Sequence, residues 1–474
     1  MHDVVVVGSG PNGLAGAITL ARAGRSVLVV EANDEIGGAA RSITNAAGAV
    51  HDFGSAIHPL TVASPFMRSI DWDGHGLRWI NPEAAVAHPL DNGEAAIVWR
   101  DLDRTADQLE SDDGDAYRRL YGRPSRRFDD LLALTTKPLP GLAREGLRHP
   151  VLAARLVAPL ASPASLTARR FDTERARAII AGHAAHSVAP VNRPLTSGFA
   201  LLLGSAAHAV GWPFPAGGAG EITRVMAEVL TSLGGEVKTG HPIRSTDDLP
   251  ESRAVLFALS PRQIGKIVGQ RFSRSYRLRL SRFRYGPGVC KIDFDSSEPI
   301  PWTCPDVAVA PTVHVGGTFA EIAAAEGAVA RGRHPRSPFV LLAQHTLFDP
   351  SRAPQGRHTV WAYCHVPNGS TVDMSGAIEA QIERFAPGFR DTILNRRVWL
   401  TTDLERADAN LVGGDVAGGS NLDHRSLLRP WPTLHPYRTD VPHYFMGSAS
   451  TPPGGGVHGL AGHQAALDVL DYFR

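Results

Sequence analysis

The residues of this chain that could do chemistry begin with a glycine-rich turn near the N-terminus. Gly8, Gly10 and Gly13 form the pattern G-x-G-x-x-G, and the acid Glu31 follows about 20 residues later. Such glycines allow a tight turn, backbone approach to a pyrophosphate and close helix packing, while the acid accepts hydrogen bonds from ribose hydroxyls. The spacing predicts a site for an adenosine diphosphate group without a 2′-phosphate. The remaining residues of this predicted set are Pro11, Asn12 and Ala32.

A β-α-β unit must position these residues. Val4–Val7 is a continuous β-branched run, typical of a parallel strand that is covered on both faces. A small-residue stretch at Leu14–Ala23 predicts a helix ended by Gly24, and Ser26–Val30 predicts the next strand. A strand–turn–helix without a ligand is the alternative, and the acid at the end of the second strand disfavours it.

Two further segments after Glu31 predict how the rest of a dinucleotide is held. Gly37, Gly38 and Ala39 would let a second backbone segment close over the diphosphate, and Arg41 would offset its charge. The segment 54–57 is also predicted to bind the cofactor; its residues are Gly54, Ser55, Ala56 and Ile57.

A second glycine-rich loop precedes the C-terminal helix, which we expect at Val457–Tyr472. Gly447 and Ser448 open this loop, and Gly456 and Val457 close it. A reduced flavin gathers negative charge at its N1–C2=O edge, and N–H groups at a helix start would stabilise that charge. A glycine-rich turn with no ligand is the alternative interpretation.

These motifs together resemble the phytoene desaturase-like flavoproteins, also called the carotenoid and retinoid oxidoreductase family. The resemblance is strongest to the branch named pyridine nucleotide-disulfide oxidoreductase domain-containing protein 2. It rests on the segments 8–13, 31–41, 52–60, 215–222, 413–431 and 447–462. It implies FAD as cofactor and a two-domain fold with a substrate tunnel that ends at the isoalloxazine. One departure is Glu35, where amine oxidases usually carry a basic residue.

The order of the elements predicts an α/β fold with a discontinuous Rossmann-type FAD-binding domain and an inserted α+β substrate domain. We assign residues 1–75, 215–262 and 395–474 to the FAD-binding domain, and residues 76–214 and 263–394 to the substrate domain. Asp101–Ala209 is rich in Ala, Leu and Arg and predicts helices, whereas Val289–Pro367 contains runs typical of strands.

Histidines are the candidate catalytic residues. His58 and His458 lie in segments expected to flank the flavin, where either could relay a proton near N5, although a structural role is the commoner one. His183 and His186 are spaced as surface residues of one helix, and Cys364–His365 is half a ligand pair. We predict no metal site, because no further ligands lie near these residues in the sequence.

Composition narrows the partners. Lys and Arg number 48 against 47 Asp and Glu, so the near-neutral charge argues against a nucleic-acid partner. Three cysteines without a C-x-x-C pair argue against disulfide chemistry, and no signal peptide is evident, so a cytoplasmic location is expected. Six arginines between Arg271 and Arg284 could contact an anionic membrane surface or simply form a solvated face.

The sequence therefore predicts an FAD-dependent oxidoreductase, of the desaturase or dehydrogenase type, that takes a hydride from an apolar, isoprenoid- or lipid-like substrate. Oxygen or a quinone would accept the electrons, since no second dinucleotide motif for NAD(P)H is present. Two alternatives stay open: a flavin-bound non-redox isomerase or regulatory protein, and an amine oxidase-type flavoenzyme.

Overall fold

The fold is taken from a computed structural model of the chain. It describes residues 1–110, 112–137, 139–148, 150, 158–422 and 428–474. The strands are β1 (His2–Val7), β2 (Val27–Val30), β3 (Ser42–Thr44), β4 (Val50–Asp52), β5 (Trp79–Ile80), β6 (Ala84–Pro89), β7 (Ala95–Trp99), β8 (Phe214–Pro215), β9 (Glu236–Lys238), β10 (Ser252–Phe257), β11 (Gly288–Ser296), β12 (Thr312–Val315), β13 (Val340–Ala343), β14 (His358–Val366), β15 (Ile393–Trp399) and β16 (Tyr444–Met446).

The α-helices lie between or after these strands, several of them consecutively between β7 and β8. They are α1 (Pro11–Arg22), α2 (Pro59–Ala63), α3 (Leu102–Asp107), α4 (Asp112–Arg126), α5 (Phe128–Thr136), α6 (Leu139–Arg148), α7 (Ala164–Ala168), α8 (Glu174–Ala185), α9 (Thr196–Ala209), α10 (Gly220–Ser232), α11 (Pro261–Val268), α12 (Arg274–Ser281), α13 (Phe319–Ala330), α14 (Ser375–Phe385), α15 (Phe389–Thr392), α16 (Thr401–Ala407) and α17 (Leu460–Tyr472).

A five-stranded parallel sheet, in the order β16-β10-β1-β2-β9, joins segments from the beginning, middle and end of the chain. The valine run of β1 is buried on both faces, as expected for a covered parallel strand. Val4 and Val6 pack into a core shared with α1, α10 and α17, and Val5 and Val7 pack into a core shared with α11 and α12. The predicted Rossmann-type arrangement is confirmed.

A second, seven-stranded mixed sheet has the order β15-β11-β14-β13-β12-β6-β7. One face, with Ile292 and Phe294, packs against α14. The other face, with Leu341 and Trp361, packs against the helices between residues 112 and 209. Strand β15 extends this sheet to Trp399, past residue 394, where the sequence analysis ends the substrate domain. The assignment of domain boundaries stays a prediction.

Three further features concern the cysteines, the lengths of the helices and the arginines near α12. Cys290 and Cys364 are cross-strand neighbours with free thiols, and burial raises the pKa of both. Within the described ranges, every helix is too short or too polar to cross a membrane. The arginines near α12 are mostly exposed, as is Leu278 between them.

Candidate functional site

The turn at residues 8–13 connects β1 to α1 in the way that the glycine spacing predicts. Gly8 has a φ of 101°, and a Cβ on Gly13 would lie 1.9 Å from the Gly8 carbonyl oxygen. Both positions therefore require glycine. Helix α1 begins at Pro11, so the N–H groups of Asn12 and Gly13 in its first turn have no helical carbonyl to bind. Such N–H groups form an anion site.

Glu31 is buried at the end of β2, beside this turn. Its carboxylate accepts hydrogen bonds from the backbone N–H of Ser9 at 2.9 Å, the Ser9 hydroxyl at 2.7 Å and the N–H of Asn33 at 3.0 Å. A carboxylate has about four acceptor positions, so one remains for a ribose hydroxyl. The neighbouring Ala32 is exposed.

The predicted glycine pair lies directly across from the turn. A Cβ on Gly38 would lie 3.3 Å from the Gly10 Cα, and a Cβ on Gly10 would lie 3.9 Å from the Gly38 Cα. The N–H of Gly37 donates to the Ser9 carbonyl at 3.3 Å, which fixes the spacing of the two segments. The backbones of Gly10 and Gly38 thus face each other across a gap, which we call the cradle. A side chain on either residue would narrow it.

Arg41 lies next to this cradle, and its role in neutralising phosphate stays a prediction. Its Nη2 donates to the Ala407 carbonyl at 2.8 Å, and its guanidinium carbon is 4.4 Å from the centre of the Phe53 ring. Burial raises the pKa of the nearby Asp408, while the charge of Arg41 opposes that shift. The arginine is therefore held in place by a carbonyl and an aromatic face.

The segment 54–57 lies against the residues that follow Gly38, because the N–H of Ser55 donates to the Ala39 carbonyl at 3.1 Å. A Cβ on Gly54 would lie 2.5 Å from the same carbonyl oxygen, so this close approach needs glycine. The hydroxyl of Ser55 is buried without a hydrogen-bond partner, and Ile57 is only half-buried. An unpaired buried hydroxyl indicates a place where a ligand atom is expected.

The C-terminal glycine loop reaches the same place. The Thr61 hydroxyl donates to the Val457 carbonyl, and the Ser64 hydroxyl donates to the His458 carbonyl at 2.7 Å. Gly447 continues from β16, where its N–H donates to the Phe257 carbonyl at 2.9 Å. Ser448, which follows it, is buried.

One expectation about this loop is wrong. The C-terminal helix begins at Leu460, not at Val457, so Gly456 and Val457 lie in the loop and not at a helix N-terminus. The reason is Gly459, which has a φ of 66° and whose Cβ would lie 2.8 Å from the Ala15 Cβ of α1. The left-handed turn at Gly459 lets the loop pass over α1 before the helix starts.

The two candidate catalytic histidines are both buried and neutral at pH 7. Burial lowers the pKa of His58 and of His458 to about 4. In His458, Nδ1 accepts the N–H of Leu460 at 3.1 Å, whereas Nε2 of His58 is buried without a partner. His58 thus has a free ring nitrogen, although neither residue is shown to be catalytic.

Sequence reasoning missed a buried ionic network behind the segment 54–57. Nη1 of Arg352 donates to Asp52 at 2.6 Å, and Nε donates to Asp349 at 3.2 Å. His345 lies next to this pair, and its Nε2 is 2.9 Å from the carbonyl oxygen of Ala56. Asp52 also accepts the N–H of Ala219 at 2.7 Å. Because Arg352 follows β13 far along the sequence, no local motif could have revealed it.

A buried lysine on β11 was also missed. Lys291 is 1% exposed, donates to Asp293, and lies within 6 Å of the centres of the Trp361 and Trp399 indoles. Burial lowers its pKa and Asp293 opposes this shift. The charge is therefore paired and enclosed by aromatic faces.

The four segments fit FAD at each of its parts. The turn at 8–13 and Glu31 suit the adenosine and its phosphate, and the Gly10–Gly38 cradle suits the second phosphate. For the flavin end, Ser55 and His58 have buried atoms without a partner, and the stretch that follows them contacts the loop at 447–458 through Thr61 and Ser64.

Comparison with known proteins agrees with this fit. The profile of the family described as "NAD(P)-binding Rossmann-like domain" matches residues 6–70. Pyridine nucleotide-disulfide oxidoreductase domain-containing protein 2 of Mus musculus is 26% identical over 549 residues, covering 99% of this chain and 93% of that protein. Phytoene dehydrogenase of Streptomyces griseus is 27% identical over 445 residues, covering 88% and 81%. The crystal structure of an oxidoreductase from Methanosarcina mazei shares the fold, with a TM-score of 0.65 and 14% identity over 99% of this chain and 100% of that one.

The fold, the site and these relatives define an FAD-dependent oxidoreductase of the Rossmann type. Within this class the chain is similar to the phytoene desaturase-like flavoproteins and to pyridine nucleotide-disulfide oxidoreductase domain-containing protein 2. The predicted resemblance and the predicted cofactor are confirmed.

The expectation for His183 and His186 is wrong. His183 is fully buried and His186 is half-buried, and both rings approach histidines from the second sheet. The sequence could not show this, because His314 comes from a distant strand. Among the described residues, these histidines included, no group of three or more His, Cys, Asp or Glu side chains is placed so that it could hold a metal ion.

Proposed function

We propose that this oxidoreductase removes a hydride from an apolar, isoprenoid- or lipid-like substrate. The observation that carries the proposal is one continuous apolar cluster. It joins the segment 54–60, whose residues we call the flavin-side residues, to the second sheet. It includes Ala56, Leu201, Trp212, Leu341 and Trp361, with Ile57 and Leu60 packed against it. A substrate that follows this surface to the flavin has to be largely hydrocarbon.

Accessible surface remains along this cluster in places where a packed core would have none. Tyr363 lies on β14, which has a neighbour on each side, yet its side chain is only half-buried. Ile57 and Leu60, on the flavin side, are also half-buried. These residues support a substrate path between the sheet and the segment 54–60.

Bound FAD would supply the acceptor for a hydride equivalent. The chain itself orients the substrate and excludes water through the apolar walls. His58, which burial keeps neutral, can hold or pass a proton at its free Nε2. An unactivated carbon needs no strong base, in keeping with the apolar character of the neighbouring residues. We further propose oxygen or a quinone as the electron acceptor.

The test is an anaerobic titration of the FAD-loaded protein with a series of isoprenoids, followed at the flavin absorption band. Bleaching of the band by an apolar isoprenoid, with an oxidised product, is the expected result. Turnover without bleaching would instead identify an isomerase. Bleaching only by polar amines would reject the apolar substrate in favour of an amine oxidase.

A further inference from the structure

Four imidazoles converge between the second sheet and helix α8. His88 lies on β6, His314 on β12, and His183 and His186 at the end of α8. The ring centres are 4.6 Å apart for His88 and His314, 5.0 Å for His186 and His314, and 5.7 Å for His183 and His314. Nε2 of His186 lies 2.9 Å from Nε2 of His314. We call these four residues the histidine cluster.

The backbone of α8 is adapted to this cluster. A Cβ on Gly182 would lie 2.4 Å from Nδ1 of His314 and 2.5 Å from Cε1 of His88. Only glycine lets the helix approach the two rings so closely. The imidazoles are therefore held by the fold and are not loosely placed side chains.

The histidine cluster borders the buried apolar cluster through Trp212, which belongs to that apolar cluster together with Ala56. The Trp212 ring centre is 5.4 Å from that of His183 and 5.8 Å from that of His314. The next residue, Pro213, accepts the backbone N–H of His58 at 2.9 Å. Trp212 thus lies between the cluster and one wall of the flavin site.

A second connection runs through the end of α8. The Asn421 amide donates to the Ser187 carbonyl at 2.9 Å and accepts from Arg429 at 2.6 Å. Arg429 in turn donates to the Ala449 carbonyl at 3.1 Å, within the C-terminal glycine loop. The residue that follows His186 is therefore tied to the loop at the flavin end.

A fifth histidine belongs to the same surroundings. His365 shares the face of β14 with Trp361 and Tyr363, and its charge would act on His186. Its Nδ1 lies 2.9 Å from both carboxylate oxygens of Glu326, the geometry of one N–H shared between two oxygens.

The four rings of the cluster are neutral at pH 7. Burial lowers the pKa of His183 to about 4 and that of His186 to about 3, and it lowers the pKa values of His88 and His314 well below the ordinary value. Each ring therefore has one N–H donor and one lone pair.

Hydrogen bonding fixes which nitrogen is the acceptor in His183. Its Nδ1 lies 2.7 Å from the Ile179 carbonyl, which can only accept, so Nδ1 carries the proton and Nε2 the lone pair. This Nε2 is buried without a partner, and neither nitrogen of His88 has one.

We propose that the histidine cluster binds a hydroxyl group at the far end of the apolar substrate, an inference that rests on the proposed function. The hydroxyl proton is donated to the lone pair of His183, and the hydroxyl oxygen accepts from His88. A carboxylate or a carbonyl offers only lone pairs and would leave the Nε2 acceptor of His183 unmatched. An ammonium offers protons but brings a charge into a place where burial already disfavours charge.

The test compares ligands of one chain length on the FAD-loaded protein by calorimetry. The probes are geranylgeraniol, geranylgeranoic acid, geranylgeranylamine and the parent C20 hydrocarbon. We expect the alcohol to bind about tenfold more tightly than the other three, the worth of about one hydrogen bond to a buried group. Equal binding of alcohol and hydrocarbon, or tighter binding of the acid or the amine, would overturn the proposal.

Variants separate recognition from folding. His183→Leu should lower the affinity for the alcohol to that for the hydrocarbon, and His88→Asn, which keeps one donor and one acceptor, should retain most of it. His208→Asn changes a half-buried histidine that contacts Tyr117 outside the cluster and should have no effect. Equal loss for alcohol and hydrocarbon, or stoichiometric zinc binding that His88→Asn abolishes, would reject the hydroxyl site. Calorimetry does not depend on flavin reduction, so a redox-inactive protein would refute the proposed function and leave this result readable.

Discussion

Nη1 of Arg352 lies 2.6 Å from Oδ2 of Asp52, and neither side chain has any exposed surface. The pair joins the segment behind the flavin-side residues to a loop beyond β13. Asp52 also binds the Ser42 hydroxyl at 2.8 Å and the N–H of Ala219 at 2.7 Å, so one carboxylate connects three parts of the chain.

Arg352→Met should therefore destabilise the protein strongly. It removes one partner of a buried pair and leaves Asp52 charged in an apolar place, which costs about 3–5 kcal/mol. Urea unfolding measures the loss. The matched control is Arg104→Met, which breaks an exposed pair with Glu83 and should cost less than about 1 kcal/mol. Equal effects of the two substitutions would show that the buried network does not hold the fold.

Gly10→Ala should prevent FAD binding while leaving the fold intact. The residue has a φ of −66°, which alanine adopts without strain, and the new methyl group would enter the cradle opposite Gly38. We expect a stability within about 1 kcal/mol of the native protein and a large loss of bound flavin, measured by absorbance after gel filtration. Gly376→Ala, where a Cβ meets no atom within 4 Å, is the control. A yellow Gly10→Ala protein would contradict the assignment of the cradle.

Stability should fall as the pH is lowered from 6.5 toward 4. Burial lowers the folded-state pKa of His58, His183 and His458 to about 4, so below pH 6.5 the unfolded chain binds protons that the folded chain does not. At pH 5 each group costs roughly 2 kcal/mol relative to neutral pH. Unfolding by urea at pH 8, 7, 6 and 5 measures the slope, which should be shallower in His183→Leu. A flat profile would mean that these rings are not neutral and buried.

The lowered pKa of Asp52 acts in the same direction but in a more acidic window. It stabilises the folded state above the ordinary pKa of an aspartate, and that contribution is lost only as the pH falls below about 4. The histidine effect can thus be read separately between pH 5 and 6.5.

The exposed arginines of α12 should bind anionic membranes if the apolar substrate is taken from a bilayer. We expect flotation with phosphatidylserine vesicles and not with phosphatidylcholine vesicles, weakened by the triple change Arg274→Gln, Arg279→Gln and Arg282→Gln. The same change at Arg331, Arg333 and Arg336, which are also exposed, is the control. Equal flotation of both triple variants would assign the α12 arginines to a solvated face.

Much of the dinucleotide site could be predicted because its information is local. Gly8, Gly13 and Glu31 act within one β-α-β unit, where turn, helix start and strand end follow from neighbouring residues. The start of α17 could not be predicted, because the left-handed turn at Gly459 is set by contact with Ala15, far away in sequence. Periodicity describes one element at a time and does not show such contacts.

The histidine cluster shows the same limit more clearly. His183 and His186 alone look like polar positions of a surface helix. His183 is buried and His186 half-buried because β6 and β12 bring His88 and His314 against α8, an arrangement that depends on strand order in a seven-stranded sheet. Spacing within α8 contains no information about that order.

The order of the parallel sheet has a consequence for how the protein is made. Strand β10 lies between β1 and β16, and β16 begins only at Tyr444. A ribosome must therefore translate the chain at least as far as Tyr444 before the sheet is complete, and further before the loop after β16 can contact Thr61 and Ser64. The segments of the cofactor site therefore come together late in synthesis, and a nascent chain that stalls before Tyr444 lacks the loop at the flavin end.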